Sequence, residues 1–290
     1  MLTEALPGGL PARRCAVLGS PIAHSLSPVL HRAAYQRLGL DWEYEAIEVT
    51  RDDLASFLEA RDASWRGLSL TMPLKRTVMS LLDEASETAL VANAANTVLL
   101  GEDGRRSGHN TDVTGAERAL RERGVEHVGT ATVAGGGATA TSAVLALARL
   151  GCHDVSLLVR EPARARGVVE AAGRLPDPPT VRVARLDGPL GPGAHADVVV
   201  ATVPAEAQPS LAEALAGLAP VVFDVLYDPW PTPLVQAAQA AGRTVVGGLD
   251  LLVHQATGQV ELMTGCERAP LEEMRAAGRA ALERRASSST

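Results

Sequence analysis

Thr130-Ala131-Thr132-Val133-Ala134-Gly135-Gly136-Gly137-Ala138-Thr139-Ala140 reads as an apolar strand running into a glycine turn. An Ala/Leu-rich helix is predicted over 142–150, stopping at Gly151. Gly135, Gly137 and Ala140 match Gly-x-Gly-x-x-Ala at the strand-to-helix junction that a dinucleotide-binding unit requires. Glycine lets the backbone turn tightly and approach a pyrophosphate held at a helix N-terminus. A glycine-rich turn without a ligand is the bland alternative, and the flanking strand and helix weigh against it. Further along, 155–159, 181–184, 198–202 and 221–225 are short apolar runs of the kind that form buried parallel strands. Together they predict a doubly wound sheet, with the Pro/Gly-rich stretches 175–179 and 188–193 as loops inside that domain.

The strand after the glycine turn ends in Val159-Arg160-Glu161-Pro162-Ala163-Arg164. An NAD enzyme often places an acid there to accept hydrogen bonds from the ribose hydroxyls. Here Arg160 takes that place, with Arg164 one helical turn on, and two guanidiniums on one face suit a 2'-phosphate. That favours NADP over NAD. Two solvated arginines are the competing explanation in an arginine-rich chain, and Glu161 is a poor neighbour for a phosphate.

The N-terminal half alternates strand and helix. Strands are predicted at 15–19, 44–49 and 68–71, helices at 27–38, 52–61 and 74–82, and a hairpin joins 96–100 to 105–108. Helices follow at 113–123, 249–263 and 271–284, with 286–290 as a frayed tail. In this half lies Lys75, the only lysine, while the other 26 basic residues are arginine. An amine can lose its proton where a guanidinium effectively cannot, so this position suits proton transfer. A lone solvated lysine is the competing reading. Ser25 and Ser27 stand just before a helix, where hydroxyls and free backbone N–H groups can hold an anion, or where Ser27 is simply an N-cap. Thr71, Asn96 and Asp112 are ordinary polar residues near element ends until something groups them.

Composition removes several function classes. A net charge of -7 and 3% aromatics argue against a nucleic-acid binder. The cysteines Cys15, Cys152 and Cys266 are odd in number and widely spaced, which suits a reducing compartment. Residues 1–11 lack the basic start and apolar core of a signal peptide, and no run is long enough to span a bilayer, so a cytoplasmic protein is expected. The seven histidines show no metal-ligand spacing and no Gly-x-Ser-x-Gly elbow occurs, so neither a metal site nor a hydrolase is expected.

With these residues together, the chain resembles the shikimate dehydrogenase family over nearly its whole length. The resemblance is carried by GSPIAHSLSP at 19–28, LTMPLK at 70–75, ANT at 95–97, NTD at 110–112, DVLYDPWPTPL at 224–234 and GGLDLLVHQA at 247–256. It implies two domains. An N-terminal α/β substrate domain over 1–112 would receive the C-terminal helices of 249–290. A Rossmann-like, doubly wound NADP-binding domain would occupy 113–248. It implies Lys75 and Asp112 as the catalytic pair and Ser25 and Ser27 on a substrate carboxylate. Thr71, Asn96 and Gln255 would surround ring hydroxyls, and Tyr227 would approach from the cofactor side. The cofactor would lie along Gly135, Gly136, Gly137 and Ala138, with Arg160 and Arg164 on its phosphate and Val225 and Gly248 near the nicotinamide. The implied reaction is NADPH-dependent reduction of 3-dehydroshikimate by a monomer or homodimer. Quinate or aminoshikimate dehydrogenase, and a catalytically silent NADP-binding regulator, are the alternatives. Ser69 departs from the family, many members of which have Asn there, and Val159-Arg160-Glu161 replaces an Asn-Arg-Thr segment.

Overall fold

The computed structural model describes residues 13–188 and 195–288. The signal-peptide reading of 1–11, most of the 188–193 loop and the last two residues of the predicted tail lie outside them.

Among the described residues the strands form two six-stranded sheets. The first holds β1 (Arg14–Gly19), β2 (Glu43–Glu48), β3 (Trp65–Leu70), β4 (Glu84–Ala85), β5 (Thr97–Leu100) and β6 (Arg106–His109) in the order β2-β1-β3-β5-β6-β4. Here β1 runs parallel to β2 and β3, while β5 is antiparallel to both β3 and β6, as the predicted hairpin requires. The second holds β7 (Thr130–Ala134), β8 (Asp154–Val159), β9 (Thr180–Arg185), β10 (Val198–Ala201), β11 (Val221–Asp224) and β12 (Thr244–Val246). Its order is β12-β11-β10-β7-β8-β9, parallel throughout. That is the doubly wound order whose direction reverses beside β7, so the crevice outside the carboxyl end of β7 is where a ligand is expected. Val133, Val198, Val200 and Phe223 are buried there, which explains why these strands read as continuous apolar runs.

Eleven helices are described: α1 (Ser27–Leu38), α2 (Leu54–Glu59), α3 (Leu74–Thr77), α4 (Glu87–Ala92), α5 (Asp112–Glu122), α6 (Ala138–Arg149), α7 (Arg166–Ala172), α8 (Ala212–Leu218), α9 (Pro233–Ala240), α10 (Gly248–Thr264) and α11 (Leu271–Ser288). The last two return to the first sheet's unit. Val253, Ala256, Val260 and Met274 bury against Leu26, Leu30 and Ala34 of the α1 region. Gly115 lets α5 and α10 cross closely, because a Cβ there would stand 2.8 Å from the Gln255 backbone nitrogen.

Several expectations are corrected. The helix after the glycine turn begins at Ala138 rather than 142, since Gly137 is extended (φ -86°, ψ -173°) and the chain turns helical directly behind it. The strand at 181–184 is not buried: β9 is the sheet edge and most of its residues are exposed, because β8 covers one side only. The helix predicted over 74–82 is one α-turn followed by a 3₁₀ stretch at Val78–Leu81. The helix predicted over 52–61 is shorter, Leu54–Glu59. Residues 286–288 continue α11 instead of fraying. Elements beyond the predicted pattern include β4, α4, α9 and β12. In α4 the Ser86 hydroxyl accepts from the Ala89 N–H as an N-cap.

Candidate active site

A cavity of about 660 Å³ opens between the two sheets' units. The first unit contributes Ser25, Ser27 at the start of α1, Thr71 after β3, Lys75 of α3, Asp112 of α5 and, from the returning α10, Gly248 and Gln255; the loop after β11 contributes Val225 and Tyr227 from the second.

The centre of this wall is an ion pair. Lys75, at the first turn after β3, donates from Nζ to Asp112 Oδ2 at 2.6 Å, and both side chains are mostly buried. Asp112 is the first residue of α5, where its negative charge is favoured by the helix macrodipole. The amide of Asn110 accepts from the Asp112 and Val113 N–H groups, so it caps this helix, and donates to the Ala94 carbonyl oxygen. Behind the pair, Asn96 Nδ2 donates to Asp112 Oδ1 at 2.9 Å and faces Thr111 Oγ1 and Gln255 Oε1 at 2.8 and 3.1 Å. Its own Oδ1 accepts from the Thr111 N–H and the Thr97 hydroxyl. Asn96 thus holds the pair and Gln255 together from behind, rather than lining the cavity with them.

Ser25 and Ser27 stand at the far end. The Ser27 N–H donates to Ser25 Oγ at 3.3 Å. Ser27 is the first helical residue of α1 and Leu26 occupies the cap position, with no side-chain cap bond, so the N-cap reading of Ser27 is replaced. Tyr227 reaches over from the second unit, and burial, opposed by the positive field of Arg285, pushes its phenol above the usual tyrosine range. The loop carrying Tyr227 is tied down by buried Asp224, which accepts from Thr232 Oγ1 at 2.6 Å, Gln208 Nε2 at 2.9 Å and the Leu226 N–H at 3.1 Å.

Gln259, which the motifs do not single out, and Ser69 complete the floor. Gln259 lies one helical turn after Gln255 on α10, so both project from one face. Its Nε2 donates to the Asn96 carbonyl and Thr97 Oγ1, and its Oε1 accepts from Ser69 Oγ at 2.9 Å. Ser69 accepts in turn from the fully buried Tyr44 hydroxyl at 2.6 Å. The i, i+4 spacing of the two glutamines was the available signal.

The glycine turn sits at the crevice beside β7. Gly135 has φ +117°, a conformation open to glycine, and a Cβ at Gly136 would stand 2.6 Å from the Arg164 carbonyl oxygen. Around Gly137 there is open space, and no side chain caps the first N–H groups of α6. Such a cradle fits a phosphate group. Gly136, Gly137 and Arg164 line a second cavity of about 550 Å³. Arg160 is exposed at the end of β8 and is not among the residues lining that cavity. Gly135 and Ala138 stand at the turn, while Val225 and Gly248 belong to the first cavity.

Among the described residues no group of three or more His, Cys, Asp or Glu could hold a metal ion, and no helix is long and apolar enough to cross a membrane. Cys15, Cys152 and Cys266 are free thiols.

Residues 17–98 match the shikimate dehydrogenase substrate binding domain, and 248–277 match the shikimate 5'-dehydrogenase C-terminal domain. The chain is 35% identical over 274 residues to the shikimate dehydrogenase (NADP(+)) of Desulfitobacterium hafniense, covering 90% of this chain and 96% of that protein. A crystal structure of a shikimate 5-dehydrogenase from Mycobacterium fortuitum superposes with a TM-score of 0.81 at 41% identity, covering 94% and 99% of the two chains. The Thermus thermophilus enzyme, solved in complex with NADP(H) and shikimate, superposes with a TM-score of 0.81 at 33% identity, covering 93% and 100%. The chain belongs to the shikimate dehydrogenase family.

Proposed function

We infer that this chain catalyses the reversible NADPH-dependent reduction of 3-dehydroshikimate to shikimate. The observation that carries the reading is the Lys75–Asp112 pair at 2.6 Å in the wall of the interdomain cavity, in a chain whose relatives are named for that activity. Substrate binding is assigned to 1–112 with 249–290, and cofactor binding to 113–248.

When bound, NADPH supplies a hydride to the ketone carbon. Negative charge then develops on the ketone oxygen, and a preorganised cation beside it stabilises that charge most where water is excluded. Lys75 supplies the cation and transfers its proton to the oxygen, completing the alcohol; in the oxidative direction it takes the proton back. Asp112 holds the ammonium in place and accepts a hydrogen bond from the neighbouring ring hydroxyl. Ser25 and Ser27, at the start of α1, hold the carboxylate at the other end of the ring. Thr71 and Gln255 orient the ring hydroxyls, Asn96 fixes Asp112 and Gln255, and Tyr227 closes the site from the cofactor side. Val225 and Gly248 bound the space for the nicotinamide, Gly135, Gly136, Gly137 and Ala138 approach the pyrophosphate, and Arg160 and Arg164 select the 2'-phosphate. The three free thiols suit a reducing cytoplasm.

The test is oxidation of shikimate and of quinate with NADP+ and with NAD+, followed by cofactor absorbance. The shikimate–NADP+ pair should have the highest kcat/KM. Faster turnover of quinate, or no turnover of either acid, would overturn the assignment.

A further inference from the structure

The second cavity is shared between the two units. Gly136, Gly137, Ala163, Arg164, Arg166, Gly167, Glu170 and Arg174 come from the dinucleotide side, and Arg51, Arg76 and Asn93 come from the substrate side. Five guanidiniums therefore face one carboxylate, in a chain whose overall charge is -7. Arg166 pairs with that carboxylate, Glu170, at 2.7 Å. Among the described residues Arg51, Arg76, Arg164 and Arg174 have no ion-pair partner, so an excess of positive charge gathers around an open space beside the glycine turn.

Arg76 reaches furthest. It follows Lys75 on α3, donates from Nη2 to Thr141 Oγ1 of α6 at 3.1 Å, and lies against Gly167 of α7. A Cβ at Gly167 would stand 2.6 Å from the guanidinium nitrogens, so the glycine leaves room for a side chain arriving from the other unit. The hydrogen bond from Arg166, together with the fields of Arg174 and Arg76, holds Glu170 below the usual carboxylate range.

Resting on the assignment of NADP(H) as the cofactor, we propose that Arg51 and Arg76, supplied by the substrate-binding unit, complete the site for the 2'-phosphate of the adenosine ribose. A phosphate monoester dianion offers three acceptor oxygens, and charge-assisted bonds from guanidiniums are the strong ones available to it. The cavity lies between the glycine turn, Ala163 and Arg164 of the stretch that follows β8, and the start of α7, close to where the adenosine ribose of a dinucleotide lies in this fold. Because Arg76 and Lys75 are consecutive on one short helix, the same phosphate anchors the helix that carries the proton donor.

The test is titration of the full chain with adenosine 2',5'-bisphosphate and with 5'-AMP, neither of which requires turnover. In the unaltered chain the bisphosphate binds more tightly, and the ratio of the two dissociation constants measures recognition of the 2'-phosphate. Arg76→Gln and Arg51→Gln should each lower that ratio by about tenfold, one charge-assisted contact in size, and the lysine variants should recover part of the loss. An unchanged ratio overturns the proposal, and so does an equal loss for both nucleotides, which would place the arginines on the 5'-phosphate instead. Absence of shikimate oxidation by the unaltered chain would sink the assigned reaction independently of these ratios.

Discussion

The two cavities are built in opposite ways. In the larger one the working groups are mostly buried, and each is held by its neighbours: Lys75 on Asp112, Asp112 on Asn96, Asn96 on Gln255 and Thr111. In the smaller one the backbone supplies the cradle, and exposed arginines with few partners stand around it. A buried polar network fixes geometry, because each member left without a partner is penalised by about 1–3 kcal/mol. An exposed cluster of like charges fixes little until an anion arrives, and recognises charge more than shape. Chemistry that needs a proton at one atom belongs in the first setting, and capture of a phosphate suits the second.

The sharpest way to break the comparison is Lys75→Ala. If the first cavity works through one positioned amine, kcat should fall by about 10³-fold, within the range of general acid catalysis, while the KM for shikimate moves by less than about threefold. Near-normal turnover in steady-state assays would show that the pair is structural.

Asn96→Leu removes the amide at similar volume. Asp112 Oδ1, Gln255 Oε1, the Thr111 N–H and the Thr97 hydroxyl then lose a partner together. Stability should fall on the order of 3 kcal/mol in urea unfolding, and kcat/KM by about 100-fold. A variant with full stability and reduced activity would mean that Asn96 acts on the substrate directly, as the motif alone suggests.

His31 sharpens the same contrast through pH. It is fully buried, stacks on Tyr44 at 3.9 Å and faces Gln259 Oε1 at 3.2 Å; burial lowers it to about 3, with the Gln259 hydrogen bond partly opposing. The unfolded chain takes up a proton near pH 6.5 that the native site accepts only near pH 3. Stability is therefore complete above about pH 6.5 and falls as pH drops toward 3. The loss between pH 7 and pH 5 from this residue should be on the order of 2 kcal/mol. His31→Phe keeps the stacked ring and should flatten that part of the pH profile of denaturant midpoints. An unchanged slope would place the acid sensitivity elsewhere.

Much of this was legible before folding because the informative residues are local. Lys75 follows its strand within five residues, Asp112 opens a helix, and the 130–140 stretch declares strand, turn and helix in order. Gln259 needed only helical spacing from Gln255. By contrast, 181–184 reads as the same kind of short apolar run as its neighbours, and the exposure of β9 depends on being last in the strand order, which no window of sequence contains. The same holds for Arg51 and Arg76. Nothing at 51 or 76 separates them from the other arginines; Arg51 comes from the turn between β2 and α2 and Arg76 reaches from α3 to Thr141 and Gly167, so only the folded chain brings both to the cavity beside the glycine turn.

Arg164 gives the smallest effect and tests the second kind of site most directly. It is exposed and has no ion-pair partner among the described residues, and its backbone carbonyl lies close to Gly136. Removing its charge should therefore leave the fold unaffected, since exposed substitutions away from such networks stay within about 0.5 kcal/mol. Arg164→Gln should instead raise the Kd for NADP+ by about tenfold, and raise it less as salt is added, because an exposed guanidinium acts through a screened field. Arg160→Gln should cost less, as Arg160 stands off the cavity. If Arg160→Gln proved the more damaging in fluorescence titrations, the phosphate would sit nearer the end of β8. The exposed cluster would then act as a steering field that raises the association rate rather than as a set of contacts.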